Sequence, residues 1–371
     1  MPDTPKEPLL LTPGPITTSA DTKKKMLRDW GSRDRDFIAL TQRVRDRLLQ
    51  LAGGGETHAC VPLQGSGTFG VEAMLGTFLP REGKVLIPVN GAYGARIAEI
   101  VTRMGRDCQT LALEETLPLD PAVIEEALAS DPAITHVAAV HCETGSGLLN
   151  PIEEIAALTA RHKRRLLLDA ISTFGALPLD VGVLPCDALA ASANKCLEGV
   201  PGVAFVIVRK DFLAASQGNA SSLSLDLFGQ WQALEKTGQW RFTPPTQVVA
   251  ALDQALEEHA AEGAVKGRGA RYRANCRALV EGMRELGFRT FLPDGLQAPI
   301  IVAFHSPQDK NFVFAAFYDF LREKGYVIYP GKVTTADTFR IGCIGKVGEK
   351  DIRGVVTAVR EAMKKFGFKP A

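Results

Sequence analysis

Apolar positions along this chain recur in two alternating rhythms. Short apolar runs at Val85–Val89, Cys108–Leu113, His136–His141, Arg165–Asp169, Ala188–Ser192 and Val203–Val208 have the length and composition of buried strands. Between them, apolar residues return at helical spacing over 36–52, 68–79, 94–105, Pro121–Ser130 and Ile152–Lys163, the last opened by Asn150-Pro151. Strands alternating with helices of this length predict an α/β fold: a mostly parallel sheet covered by helices on both faces. In such sheets ligands gather at the carboxyl ends of the strands.

The rhythm breaks over 210–245, where Ala220-Ser-Ser-Leu-Ser224 is followed by Gln230-Trp-Gln232 and Trp240-Arg-Phe-Thr-Pro-Pro-Thr246. One long helical stretch from about Thr246 to Leu286 is then expected to lead into a smaller C-terminal α/β unit. Its expected strands are Gly287–Leu292, Ile300–His305, Val327–Pro330 and Thr338–Gly342, with helices at Asn311–Lys324 and Glu349–Phe366. At the other end, Leu9-Leu-Leu-Thr-Pro-Gly-Pro15 reads as an extended arm, and Met1–Pro8 as a disordered start. The expected division is an arm (1–22), a large domain (23–258) and a small domain (259–371). A chain of 371 residues is long enough for two cores.

Charge narrows the choice of partner. With 43 Lys and Arg against 42 Asp and Glu, the formal net charge is +1, which argues against a polyanion such as nucleic acid. Lys23-Lys-Lys25 lies between Asp21 and Asp29 and reads as a solvated helix face. No apolar run approaches the ~20 residues of a membrane span, and the first residues have no apolar signal core, so a cytoplasmic protein is expected. The seven cysteines are scattered without a Cys-x-x-Cys pair, and the six histidines show no ligand spacing; reduced thiols and no metal are the expectation.

Three segments carry candidate chemistry. The run from Asp187 ends on Ser192-Ala-Asn-Lys195, and the run from Arg165 ends on Asp169-Ala-Ile-Ser172. Neighbouring strands that deliver an amine and a carboxylate to one rim suit pyridoxal 5′-phosphate: the amine attaches the cofactor, and the acid keeps the pyridine nitrogen protonated. A lysine within a pocket also loses affinity for its proton, which makes it a nucleophile near neutral pH. Upstream, Gln64-Gly-Ser-Gly-Thr68 turns into a helix, a cradle for a phosphate held by backbone N–H groups and the Ser66 and Thr68 hydroxyls. Gly65, Gly67 and Gly70 also match a dinucleotide spacing, but the next strand ends at Val89-Asn90 without the acid a ribose requires.

Further residues fit the same picture. Tyr93, between glycines on a strand-to-helix loop, is a candidate to stack on a planar cofactor. Thr144 is expected to face the cofactor near its O3′ edge, with His141 in the core or behind the site. Arg340 is a lone cation in an apolar strand; its planar fork suits a carboxylate or a phosphonate.

Together these motifs resemble the class V aminotransferases of pyridoxal-phosphate fold type I. The resemblance runs from Leu9 to the C-terminal helix through Leu11-Thr-Pro-Gly-Pro15, Asp29-Trp-Gly-Ser-Arg-Asp34, Gln64-Gly-Ser-Gly-Thr-Phe69, Asn90-Gly-Ala-Tyr-Gly94, His141-Cys-Glu-Thr144, Asp169-Ala-Ile-Ser172, Ser192-Ala-Asn-Lys195 and Phe339-Arg-Ile-Gly342. It implies that Lys195 bears the cofactor, that Asp169 holds the ring nitrogen, and that Ser66, Gly67 and Thr68 bind the phosphate. It also implies a homodimer in which Thr243 of the partner subunit completes the phosphate site. Arg340 would bind the substrate anion with the Gly14 backbone close by; no role is carried onto Arg33. The Asp29-Trp-Gly-Ser32 and Gln64–Phe69 forms are similar to those of a branch acting on 2-aminoethylphosphonate, with pyruvate as acceptor. The alternatives are an alanine- or serine-glyoxylate aminotransferase, a cysteine desulfurase, a cofactor-fold binding module without turnover, and a NAD-dependent dehydrogenase. A desulfurase needs a loop cysteine well ahead of the arginine, whereas Cys343 follows Arg340 in a strand-like run; a binding module predicts loss of Lys195 or Asp169.

Overall fold

A computed structural model describes residues 7–370; most of the expected disordered start, Met1–Lys6, lies outside them. The main sheet has seven strands in the order His58–Gln64, Val203–Arg209, Ala188–Ser192, Arg165–Asp169, Ile134–Val140, Lys84–Val89 and Asp107–Ala112. Only Val203–Arg209 runs against its neighbours, so the sheet is mostly parallel as its strand–helix alternation predicts.

The strands are apolar throughout because both faces are covered. Leu166 and Leu168 pack with Phe37, Leu40, Val44 and Leu48 of the helix Arg35–Leu51. Leu167, between them, faces the opposite layer with Val71, Met74 and Phe78 of the helix Gly67–Phe78. Successive strand side chains point to opposite faces, so a strand buried on both sides shows no apolar–polar alternation.

One strand escapes the sequence pattern. His58–Gln64 carries Pro62, which argues against a central strand, but it is an edge strand, where a missing N–H is tolerated. Its seven residues pair in register with Val203–Arg209. The stretch read as irregular over 210–245 also holds two helices, Lys210–Ala215 and Leu227–Thr237. The other expected elements of the large sheet and its covering helices lie within a few residues of their expected bounds.

The C-terminal unit departs from expectation in three places. The expected helix from Thr246 to Leu286 is two helices, Thr246–Ala261 and Ala264–Glu285. Gly263 (φ +95°) and Ala264 (φ +54°) adopt left-handed backbone there, which no helix continues through. The first helix packs with the large sheet through Val249, Leu252 and Leu256, and the second joins a separate core through Leu279 and Met283. The expected strand Gly287–Leu292 is reduced to one bridge, Thr290 to Phe304, because the chain leaves its helix through left-handed Gly287 and meets Pro293 soon after. The expected strand Val327–Pro330 divides around buried Ile328. Tyr326–Val327 pairs with Leu9–Leu10 of the N-terminal arm, and Tyr329–Pro330 joins the small antiparallel sheet of Ile301–His305 and Thr338–Gly342. The arm is thereby tied to the small sheet's side of the molecule before it crosses to the rim of the large sheet.

Candidate active site

The register of the parallel strands brings their carboxyl ends to one rim. Val140 pairs with Asp169, and Asp169 with Ala190, so the segments after Asp169 and Ser192 emerge side by side. The turn into the helix Gly67–Phe78 faces them: a Cβ added at Gly67 would lie 2.6 Å from the Ile171 side chain. Only glycine permits so close an approach. Between these segments lies a cavity of about 360 Å3 whose lining includes Gly14, Ser66, Gly67, Thr68, Tyr93, Arg96, Asp169, Ser192, Asn194 and Lys195.

Lys195 enters this cavity from the loop beyond Ser192. Its ammonium donates to the Pro13 carbonyl, so the N-terminal arm forms one wall. Gly14 packs directly on it: an added Cβ would sit 2.7 Å from Nζ, and the backbone φ of +122° already disfavours a side chain. Burial lowers the Lys195 pKa below the ordinary lysine value, opposed by nearby Tyr93 and Asp169. The loop is held from beneath. Arg268, fully buried, donates to the Cys196 carbonyl (2.6 Å), and Glu198 accepts from Tyr272 (2.6 Å) and Arg271 (2.7 Å).

Asp169 is buried, and its Oδ1 accepts from the Ile171 N–H at 3.0 Å. Burial raises its pKa to about 6, while Ile171, Lys195 and Arg96 favour the charged form. Ser66 caps the helix Gly67–Phe78 with its backbone alone; its hydroxyl makes no cap bond. The Ser192 hydroxyl is buried without a hydrogen-bond partner among the described residues. A buried orphan hydroxyl is costly unless a ligand meets it.

Tyr93 lies in the first turn of the helix Ala92–Arg103. Burial raises its phenol pKa, but Lys195, Lys332 and Arg96 outweigh this and leave it below the ordinary value. The nearby Thr144 hydroxyl also lowers it, yet makes no well-aligned hydrogen bond. Glu143 was given no role by the sequence. Fully buried, it accepts from the Tyr93 N–H (3.1 Å) and the Gly94 N–H (2.7 Å), satisfying donors at the start of that helix. Burial lifts its pKa to about 7 against those bonds. No spacing rule finds such a residue, because its partners are backbone groups about fifty positions away. Arg96, also missed, donates to the Thr68 hydroxyl at 3.3 Å.

Four expected residues stand apart from the cavity lining. Arg340 is buried and binds only carbonyls, Nε to Pro330 (3.0 Å) and one terminal nitrogen to Thr144 (2.8 Å), without an acid partner among the described residues. Thr144 therefore meets the small sheet through its backbone. Thr243 is exposed and lines a neighbouring cavity with Gln64, Gly65 and Phe69. His141 lies behind the site, its Nδ1 2.9 Å from the Thr173 hydroxyl.

The chain matches the family model described as aminotransferase class-V over residues 18–337. It is 54% identical to 2-aminoethylphosphonate--pyruvate transaminase 2 of Burkholderia lata over 98% of this chain and 96% of the relative. It is 55% identical to 2-aminoethylphosphonate--pyruvate transaminase of Cupriavidus necator, with the same coverage. The chain belongs to the class V aminotransferases. Among solved structures, alanine--glyoxylate aminotransferase from Nostoc sp. superposes with a TM-score of 0.90 over 98% of this chain and 97% of that one, at 21% identity. At that identity the likeness speaks for the fold alone.

Class V aminotransferases depend on pyridoxal 5′-phosphate, and the residues present fit it. The orphan Ser192 hydroxyl, the side-chain-free approach at Gly67, a buried acid and a buried amine of lowered proton affinity share one cavity. Among the described residues no helix is long and apolar enough to cross a membrane.

Proposed function

We propose that this protein transfers the amino group of 2-aminoethylphosphonate to pyruvate, giving phosphonoacetaldehyde and L-alanine. The curated relatives so named, 52–55% identical over nearly the whole chain, support the substrate pair. The observation that carries the chemistry is the convergence of Lys195, Asp169 and the Ser66–Thr68 turn on one cavity. An alanine- or serine-glyoxylate aminotransferase remains the second reading, since the fold is shared.

Bound pyridoxal phosphate supplies an aldehyde for amines and an electron sink for the carbon whose proton is removed. Lys195, its proton affinity lowered by burial, would hold the cofactor through its amine and is placed to act as the base that takes and returns the substrate proton. Asp169 would accept the pyridine N–H and balance its charge. Tyr93 would cover the ring, and Ser66, Gly67 and Thr68 would hold the phosphate; the unpartnered hydroxyls of Ser192, in the cavity, and Thr144, behind its lining, would serve the cofactor's polar edge. Arg340, held by two carbonyls, would receive the phosphonate in one half-reaction and the carboxylate in the other, with the Gly14 backbone close to the substrate.

The working unit of this reading is a cytoplasmic homodimer with its arm ending at 22 and its domains meeting near 258. Exposed Phe69 and Phe242 flank Thr243 and are suited to burial against a second copy, which would bring Thr243 into the partner's phosphate site. The test is a screen of amine donors with pyruvate, followed by alanine formation, together with borohydride reduction and peptide mapping. Turnover with 2-aminoethylphosphonate and a label on Lys195 are expected. Preference for alanine or serine with glyoxylate would favour the second reading, and a label on another lysine would remove the role given to Lys195.

A further inference from the structure

We infer that Arg96 is the cation that neutralises the cofactor phosphate, an assignment that rests on the cofactor reading above. A phosphate monoester carries roughly two negative charges near neutral pH. The cradle at Ser66–Thr68 offers neutral hydroxyls, backbone N–H groups and a helix N-terminus equivalent to about half a positive charge. Of the residues lining the cavity, only Arg96 and Lys195 are cationic, and Lys195 is taken by the covalent attachment. Lys332 also lies over Tyr93, 4.3 Å from its ring centroid, but lines no part of the cavity, so the charge at the cradle falls to Arg96.

Geometry agrees. Arg96 stands one turn after Tyr93 on the helix Ala92–Arg103, so both project from the same face. Its guanidinium carbon lies 4.9 Å from the Tyr93 ring centroid, and one terminal nitrogen donates to the Thr68 hydroxyl at 3.3 Å. One side chain thus touches both the aromatic expected to cover the ring and the hydroxyl expected to hold the phosphate. A guanidinium can do this because its flat face stacks while its edge nitrogens donate; an ammonium cannot do both from one position.

The third observation is a missing partner. Arg45, Arg268 and Arg271 each have a carboxylate: Glu235, Glu262 and Glu198 respectively. Arg106 and Arg340 have none, but two or more carbonyl or amide oxygens hold each of them. Arg96, also partly buried, makes neither an ion pair nor a carbonyl bond among the described residues, only the one to the Thr68 hydroxyl. A half-buried cation with so little protein compensation is poised for an anionic ligand.

Two other routes could link Arg96 to the cofactor: holding Tyr93 in place, or favouring the ionised form of Asp169 by its field. Neither depends on the phosphate, so the cofactor's own structure separates them. The full chain, stripped of cofactor, is titrated with pyridoxal phosphate and with pyridoxal, following tryptophan fluorescence and the cofactor absorbance band. In Arg96→Gln the Kd for pyridoxal phosphate should rise about ten- to a hundredfold while that for pyridoxal stays at the wild-type value. Arg96→Lys should fall between, and inorganic phosphate should compete less effectively in Arg96→Gln than in wild type. Circular dichroism and thermal unfolding of both variants establish that they fold; if Arg96→Gln does not, the Arg96→Lys comparison of the two ligands decides. Equal weakening of both ligands, or of neither, overturns the assignment. Failure of the wild type to prefer pyridoxal phosphate over pyridoxal would sink the cofactor reading itself, and the role of Arg96 with it.

Discussion

Replacing Glu143 by Gln should remove a pH dependence from the protein's stability. The carboxylate is fully buried, yet accepts N–H bonds from Tyr93 and Gly94 at the start of the helix that carries Tyr93. Burial wins over these bonds and raises the folded-state pKa from 4.5 to about 7. Below pH 4.5 the group is protonated whether folded or unfolded and contributes no pH dependence. As pH rises through 7, the unfolded chain has already released the proton and the folded chain must also do so against burial, so stability is lost. For a shift of this size, the loss between pH 5 and pH 8 is roughly 2–3 kcal/mol. Glutamine keeps the shape and one acceptor but cannot ionise. Its stability therefore carries none of this pH dependence. Near pH 5 wild type holds a neutral acid in the same place and keeps its advantage over glutamine, whereas near pH 8 it must hold a buried charge and loses about 2–3 kcal/mol of that advantage, the whole shift. The assay is thermal unfolding of the cofactor-free full chain from pH 5 to 8, wild type against Glu143→Gln, at constant ionic strength. Asp169, raised to about 6, contributes to both proteins, so the informative quantity is their difference. That difference should move against wild type by several degrees as pH rises. A flat difference would mean that Glu143 is ionised throughout, with its two N–H bonds outweighing burial.

Further predictions concern the chemistry. Asp169→Asn can accept a hydrogen bond but cannot balance a pyridinium charge; single-turnover rates should fall on the order of a thousandfold, and near-normal turnover would make the acid structural. Gly14→Ala adds a carbon 2.7 Å from Lys195 Nζ at φ +122°. Backbone strain of about 1–3 kcal/mol and displacement of the amine should slow turnover by about a hundredfold, with slower borohydride labelling of Lys195; an unchanged rate would show that the arm is not a wall of the site. Arg340→Ala should weaken 2-aminoethylphosphonate and pyruvate together in separate half-reactions, with Arg340→Lys recovering only part; loss for pyruvate alone would place the phosphonate elsewhere. Thr243→Val should weaken pyridoxal phosphate binding about tenfold, and light scattering should find a dimer; a fully active monomer would remove the partner's Thr243 from the site.

Much of this protein was legible in the linear pattern because its large sheet is regular. Apolar runs of strand length separated by helical spacing dictate a doubly covered parallel sheet, and Asp169 and Lys195 could be placed at its rim because each follows such a run. The Ser66–Thr68 turn was readable for a similar reason: a turn that opens a helix is local, built from consecutive residues.

What the tertiary structure alone decided is whatever depends on contacts between distant segments. Pro62 disguised the edge strand His58–Gln64 until its pairing with Val203–Arg209 was seen. The break at Gly263 was open to local reading, but the assignment of its two helices to different cores was not. Glu143 reaches back to Tyr93 and Gly94, Arg96 reaches Thr68 on a different helix, and Pro13 comes from the far end of the chain to receive the Lys195 ammonium. A sequence reports the local preferences of its residues. Burial, which raises Glu143 and Asp169 and lowers Lys195, belongs to the assembled molecule, because only folding decides which charges lose their water.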